Sequence, residues 1–171
     1  IHFDSRMYRE DITGSMAHAA MLARQGIISD ADADALIGGL EDILTDLDSG
    51  ALEFDMSCED IHMFVEQVLT QRLGDVGKKI HSGRSRNDQV LVDLKLFFRD
   101  ELKNIAHETA HLFDRLQALS EQYKEVLMPG YTHLQIAMPS SFGLWFGAYA
   151  ETLVDDLQLV AAAYRVANQN P

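Results

Sequence analysis

Residues 91–126 decide the fold, and they read LVDLKLFFRDELKNIAHETAHLFDRLQALSEQYKEV. Mostly apolar side chains recur there at spacings of three or four residues, as one face of a long helix requires. This stripe consists of Leu91, Leu94, Phe98, Leu102, Ile105, Thr109, Leu112, Leu116, Leu119, Tyr123 and Val126. At about 1.5 Å per residue the helix is roughly 50 Å long or more, which exceeds the width of a compact domain of this size. We therefore predict that it packs against similar long helices, including helices of other subunits.

Helical spacing extends over most of the remaining chain. It predicts further helices over residues 11–25, 30–47, 59–73 and 141–168, with Ser29 capping the second and Gly26, Gly50 and Gly74 following the first three. Pro129 is expected to end the long helix, because proline cannot continue the hydrogen-bond ladder. The predicted class is all-α, with an N-terminal helical domain over residues 1–80. Residues 81–171 form the first part of a central long-helix bundle.

Composition excludes several classes of function. The net charge of −13 argues against nucleic acids or anionic membranes as partners. No apolar run reaches the roughly 20 residues that cross a bilayer, and the first residues lack a signal-peptide pattern. The single cysteine, Cys58, cannot form an intramolecular disulfide, which favours a reducing, cytoplasmic setting.

The junction HSGRSRNDQV, residues 81–90, is the first candidate site. Ser85 and Asp88 have the spacing of a cap pair where the long helix begins. A helix start offers free N–H groups and a positive dipole end, which suit a carboxylate or phosphate, and Arg84 and Arg86 add positive charge. The alternative is an ordinary capped helix start.

The second candidate is MPGYTHLQIAMP, residues 128–139, which two prolines bracket. We predict a rigid loop between two long helices. His133 titrates near neutral pH and is therefore suited to proton transfer. A histidine with a purely structural role is the alternative.

Two other segments resemble metal-binding motifs but lack the full set of ligands. Asp60, His62 and Glu66 lie near the start of the third helix, but the His62–Glu66 pair supplies too few ligands. His107–His111 matches H-E-x-x-H, the zinc-protease motif, yet lies midway along a very long helix without the third ligand of the extended motif. A solvated helix face is the favoured interpretation, and no metal or cofactor is expected.

The strings EDIH, GRSRNDQV and GYTHLQIAMPSSFG, in this order along the chain, resemble the argininosuccinate lyase and delta-crystallin family of the fumarase/aspartase superfamily. The opening FDSRMYREDITGSMAHA fits the same family, so the resemblance covers essentially the whole chain. It implies a homotetramer with active sites shared between subunits. The reaction it implies is reversible β-elimination of argininosuccinate to arginine and fumarate, a step of arginine biosynthesis.

The resemblance also implies roles for individual residues. Ser85, Arg86 and Asn87 would bind the succinyl carboxylates, and Thr132 would hold a carboxylate oxygen. His133 would be the catalytic histidine, either as the proton acceptor or as a polarising partner. Asp60 and His62 match positions that line the same pocket.

Other features of the family do not occur in this sequence. The serine-rich mobile loop with its catalytic serine and lysine is missing, and so are the residues that grip the arginine half. Residues 1–171 alone are therefore expected to be inactive. Two alternatives remain: a delta-crystallin-like structural protein without activity, and another fumarate-releasing enzyme such as adenylosuccinate lyase.

Overall fold

The computed structural model describes residues 1–170, and this part of the chain is predominantly helical, as predicted. Six α-helices and one two-stranded sheet follow each other within it: α1 (Tyr8–Arg24), α2 (Asp30–Ser49), α3 (Ile61–Leu73), α4 (Asp75–Lys78), α5 (Arg86–Gln122), β1 (Leu127–Thr132), β2 (Gln135–Ser141) and α6 (Phe142–Ala167). Short 3₁₀ turns precede α1 and follow α4.

Local capping residues set the ends of the predicted helices. The Ser29 side chain accepts a hydrogen bond from the backbone N–H of Asp32 at 3.1 Å, so it caps α2 as predicted. Gly50 ends the same helix in the left-handed region, with φ of 73°, where a side chain would be strained. At the start of α6, Ser141 accepts from the N–H of Leu144. Local capping chemistry therefore identifies these boundaries correctly.

The long helix α5 spans 37 residues, or about 55 Å, which confirms the predicted length. Its predicted end is wrong, because α5 stops at Gln122 and not at Pro129. The carbonyl of Tyr123 accepts hydrogen bonds from Val126 and from Gly143, both at 3.1 Å. These bonds direct the chain into a strand. Tyr123 and Val126 therefore lie beyond the end of α5, although their spacing predicted that they belong to the helix.

The predicted loop between α5 and α6 is an antiparallel hairpin, which corrects the expectation from the two prolines. Pro129 and Pro139 face each other across β1 and β2, and the register shifts next to Pro129. Gly130 permits the close approach of the strands, since a Cβ there would lie 2.7 Å from the carbonyl oxygen of Met138. An isolated two-stranded sheet can tolerate prolines because its outer edges need no ladder partner.

The chain divides into two compact units. The first unit contains residues 1–97 and Asn170, and the second contains residues 98–169. The domain boundary proposed between residues 80 and 81 stays a prediction. In the first unit, α1, α2 and α3 enclose an apolar core whose fully buried members are Ile12, Ala19, Leu36, Leu40, Ile43, Ile61 and Leu69.

The second unit consists of the later part of α5, the hairpin and α6. Ser120 on α5 donates to the carbonyl of Gly143 at 2.7 Å, while Arg99 lies 3.5 Å from Asn168 at the opposite end of α6. The two helices therefore run antiparallel. Many large apolar side chains on them are exposed, including Leu112, Leu144, Trp145, Val154, Leu159 and Val166. Between residues 1 and 170, none of the helices combines the length and apolar character needed to cross a membrane.

Candidate active site

The start of α5 is a reciprocal cap built from the predicted residue pair. The Ser85 side chain accepts a hydrogen bond from the backbone N–H of Asn87 at 3.2 Å, and the Asp88 side chain accepts from the N–H of Ser85 at 3.1 Å. This arrangement fixes the direction of the first turn of α5. Ser85 and Asn87 are exposed, so their side chains at this helix start are accessible to a ligand.

Arg86 is held in place beside this helix start. One guanidinium nitrogen donates to Gln89 at 2.7 Å and another to Glu66 on α3 at 3.2 Å. Glu66 and Arg86 line an open cleft of about 490 Å³ together with Met63, Gln67, Thr70, Gln71 and Lys78. Both side chains are about one-third exposed, so this cation is positioned and still reachable from solvent.

Behind the helix start lies a buried polar cluster on three helices, formed by Asp11 of α1, His62 of α3, and Gln89 and Asp93 of α5. Nδ1 of His62 lies 2.9 Å from Oδ1 of Asp11 and 3.2 Å from Oδ2 of Asp93. The Gln89 amide donates to the same oxygen of Asp11. The Asp11 side chain is fully buried, and those of His62 and Asp93 are only 3% and 1% exposed. The cluster therefore ties the start of α5 to α1 and α3 and is shielded from bulk solvent.

Burial and charge oppose each other at His62. Burial alone disfavours the imidazolium, but the hydrogen bonds and charges of Asp11 and Asp93 outweigh it and raise the pKa of His62 to about 9. Burial also raises the pKa of Asp93, to about 7, against the lowering influence of His62. At neutral pH His62 is thus an imidazolium that neutralises part of the carboxylate charge.

The same geometry favours a proton over a metal ion in this cluster. Asp11, His62 and Asp93 do present three potential ligand atoms within 4.8 Å of one another. However, Nδ1 of His62 lies at hydrogen-bonding distance from both carboxylates, and its raised pKa means that this nitrogen carries a proton. A metal ligand would have to be deprotonated.

Asp60 is engaged in capping. Its side chain accepts a hydrogen bond from the backbone N–H of Met63 at 2.6 Å and so begins α3. Asp4 accepts from the N–H of the next residue, Ile61, at 3.1 Å. The EDIH string therefore has a complete structural explanation: it starts a helix and delivers His62 to the buried cluster.

Thr132 and His133 lie in the second unit, at the end of the hairpin. His133 and Leu134 form the two-residue turn, with φ angles of 51° and 63° that are typical of a type I′ turn. Neither residue is of the Asn or Gly type that normally occupies such a turn, so the backbone is strained there. Thr132 pairs with Gln135 directly below the turn, and Thr132 and His133 are exposed. The hairpin presents His133 to solvent in a fixed backbone conformation.

In a comparison with known proteins, a family model described as lyase matches residues 1–171 of the chain. The chain belongs to the lyase family. It is 55% identical over 168 residues to the argininosuccinate lyase of Phocaeicola vulgatus, and 48% identical over 166 residues to that of Heliobacterium mobile. These matches cover 98% and 96% of this chain, respectively. The chain spans only 38% and 36% of the length of these two relatives.

Solved lyase structures share the fold. An EDDS lyase variant with bound fumarate is 25% identical, with a TM-score of 0.81 over 96% of this chain and 32% of its own. A fumarate lyase:delta crystallin from Brucella melitensis is 17% identical, with a TM-score of 0.79, over 96% of this chain and 42% of its own. These likenesses place the helical architecture in the fumarase/aspartase superfamily, as the sequence motifs predicted.

The structure distributes the predicted site residues of this lyase-family chain between its two units. Asp60, His62, Ser85, Arg86 and Asn87 belong to the first unit, and Thr132 and His133 to the second. Sequence reasoning missed Asp11 and Asp93, which hold His62, and it missed Gln89, which donates to Asp11. The available signal was a set of polar residues, Asp11 and Asp93 among them, on the inward faces of otherwise amphipathic helices.

Proposed function

We propose that the full-length protein is an argininosuccinate lyase, which cleaves argininosuccinate reversibly into arginine and fumarate. The observation that carries this proposal is the 55% identity to a curated argininosuccinate lyase across 98% of the chain. The exposed, capped helix start at Ser85–Asn87 supports it, because a dicarboxylate substrate needs hydrogen-bond donors and a positive dipole end. The exposed His133 supports it as well, because elimination needs a titratable group beside the substrate.

The proposed reaction is an anti-elimination. A base removes a proton from Cβ of the succinyl group, and the carbanion is stabilised by the adjacent carboxylate. The C–N bond to the guanidinium then breaks, and an acid protonates the leaving nitrogen. We assign His133 to the proton transfer, either as the group that accepts the proton or as a polarising partner of that group.

Carboxylate binding is assigned to Ser85, Arg86, Asn87 and Thr132. The Arg86 guanidinium, already oriented by Glu66 and Gln89, supplies the positive charge. Asp60 and His62 are assigned to the wall of the same pocket. Since His62 is only 3% exposed and held by two carboxylates, we assign it a positioning role for the start of α5.

Association of subunits is part of the proposal. Within the second unit α5 and α6 expose large apolar side chains, and removing such surface from water is favourable. A homotetramer with shared active sites would bury these faces and bring residues of different subunits together. Residues 1–171 alone are proposed to be inactive, since groups that act as a unit lose nearly all rate enhancement when one is missing. A cytoplasmic location is supported by the unpaired, buried Cys58.

An assay of the full-length protein for fumarate, followed by ultraviolet absorbance, tests this function. Argininosuccinate is the substrate and adenylosuccinate the matched control, since both release fumarate. We expect fumarate from argininosuccinate only. Release from adenylosuccinate alone would reassign the substrate. A folded protein that is inert toward both would favour the delta-crystallin-like structural alternative.

A further inference from the structure

A second group of potential metal ligands lies on the surface of α5, outside the residues assigned to the lyase reaction. His107, Glu108 and His111 are all exposed, and one ligand atom from each lies within 4.8 Å of the others. The centroids of the two imidazole rings lie 4.2 Å apart, and the ring planes are inclined by 58° to each other. This proximity results from the i, i+4 spacing, which places both histidines on one face of the helix.

The chemistry of this group suits an imidazole-preferring transition metal. Zn²⁺ binds histidine nitrogen at about 2.0–2.1 Å and carboxylate oxygen at about 2.0–2.2 Å. Exposed side chains can rotate to shorten their separations to those of a coordination shell. In residues 1–170, no hydrogen bond or ion pair engages the polar side-chain atoms of these three residues, so no existing polar contact has to be broken.

The buried cluster of Asp11, His62 and Asp93 provides an instructive contrast. Its imidazole Nδ1 already lies at hydrogen-bonding distance from two carboxylates, and it is enclosed by protein. The surface group has neither obstacle. Both groups offer three ligands, but only the exposed one is open to an ion from solvent.

We propose that His107, Glu108 and His111 form a surface Zn²⁺ site on α5, with water completing the coordination. The site differs from a zinc-protease centre, in which the glutamate is a general base and a third protein ligand comes from elsewhere in the chain. Here the glutamate is itself a ligand, and the exposed mid-helix position encloses no substrate. The site is a chelating surface and does not depend on the proposed lyase activity.

Zinc titration of the untagged full-length protein, in competition with a chromophoric chelator, tests the proposal. We expect one Zn²⁺ per chain at this site. Loss of an outer-shell partner already weakens metal affinity roughly 10–100-fold, so His107→Gln and His111→Gln should each weaken binding by at least about tenfold. His2→Gln, which removes another exposed histidine, is the matched control and should bind as the wild type does.

Thermal unfolding with and without Zn²⁺ gives a second readout. An ion that binds only the folded protein raises its stability, so Zn²⁺ should raise the Tm of the wild type and of His2→Gln more than that of the two site variants. Circular dichroism without metal verifies that every variant is folded. Absence of saturable zinc binding would overturn the proposal, and so would equal affinity in the wild type and both site variants.

Discussion

The two compact units of this chain differ in how far they bury their apolar side chains. In the first unit, Leu36, Leu40 and Ile43 are fully shielded by neighbouring helices of the same chain. Between residues 98 and 169, only Gly143 and Ala150 are buried, while Leu159 is 72% and Leu144 is 67% exposed. The first unit thus has a core of its own, whereas the second has the apolar composition of a core without the neighbours that complete it.

One histidine from each unit, His62 and His133, shows the same difference in burial. His62 is enclosed by two carboxylates and contributes to the packing of three helices. His133 is exposed on a strained two-residue turn and contributes little to packing. His62 therefore serves the fold, and His133 is available for chemistry. Substitutions in each unit can test this division.

The largest effect is expected at His133. His133→Asn in the full-length protein should lower turnover by about 10²–10⁴-fold, the usual contribution of a general acid–base group. The fold should persist, because asparagine tolerates the left-handed conformation at this position better than most residues. Fumarate release measures the turnover, and thermal unfolding shows whether the fold persists. Undiminished turnover would remove His133 from the mechanism.

The next largest effect compares a leucine from each unit. Leu40→Ala should lower the free energy of unfolding of the full-length protein by about 2–5 kcal/mol, because Leu40 is fully buried. Leu159→Ala should act chiefly on association, where a leucine buried between subunits is worth about 1.5–3 kcal/mol. Urea denaturation and sedimentation on dilution separate the two effects. If both variants dissociate equally, the contrast between the units is incorrect.

The pH dependence of stability tests whether His62 is held as an imidazolium in the folded protein. Its pKa is raised from 6.5 to about 9 in the folded protein, so the folded state binds the proton more tightly than the unfolded state. The resulting stabilisation is fully present below pH 6.5 and is lost as the pH rises through about 9. At about 1.4 kcal/mol per pH unit it amounts to roughly 3–4 kcal/mol.

His62→Gln should therefore be less stable than the wild type at pH 6, and the difference should shrink by pH 9.5. Urea unfolding of both proteins at the two pH values measures it, with His2→Gln as the exposed-histidine control. A difference that is constant with pH would mean that His62 is not held as an imidazolium.

Sequence patterns predicted the helices well and the contacts between them less well. Ser29, Gly50 and Ser141 cap through local bonds, so their roles can be read from neighbouring residues alone. The hairpin was missed because its turn, His133–Leu134, lacks the Asn-Gly or Asp-Gly signal, and because Pro129 and Pro139 argue against strands. Asp11, Gln89 and Asp93 were missed because their cluster with His62 joins helices far apart in sequence, and helical periodicity carries no information about such pairings.

A smaller effect is expected at the two neutral residues proposed to bind the substrate carboxylates. Asn87→Ala and Thr132→Ala, one in each unit, should each cost about 1.5–3 kcal/mol of transition-state binding, a roughly 10–100-fold loss in kcat/KM. Neither should unfold the protein, since both side chains are exposed. Asn104→Ala and Thr152→Ala change the same residue types at other exposed positions and serve as controls. Unchanged kcat/KM in both site variants would place the carboxylate site elsewhere.

The difference between a self-sufficient first unit and an incomplete second unit is tested most directly by the molar mass of residues 1–171 in solution. Light scattering over a range of concentrations measures it, with the single-chain mass of 19.2 kDa as the reference. Because α5 and α6 expose large apolar side chains, the chain should associate into species well above that mass. A folded monomer of 19.2 kDa that persists at every concentration would contradict this account, since the exposed face would then need no partner.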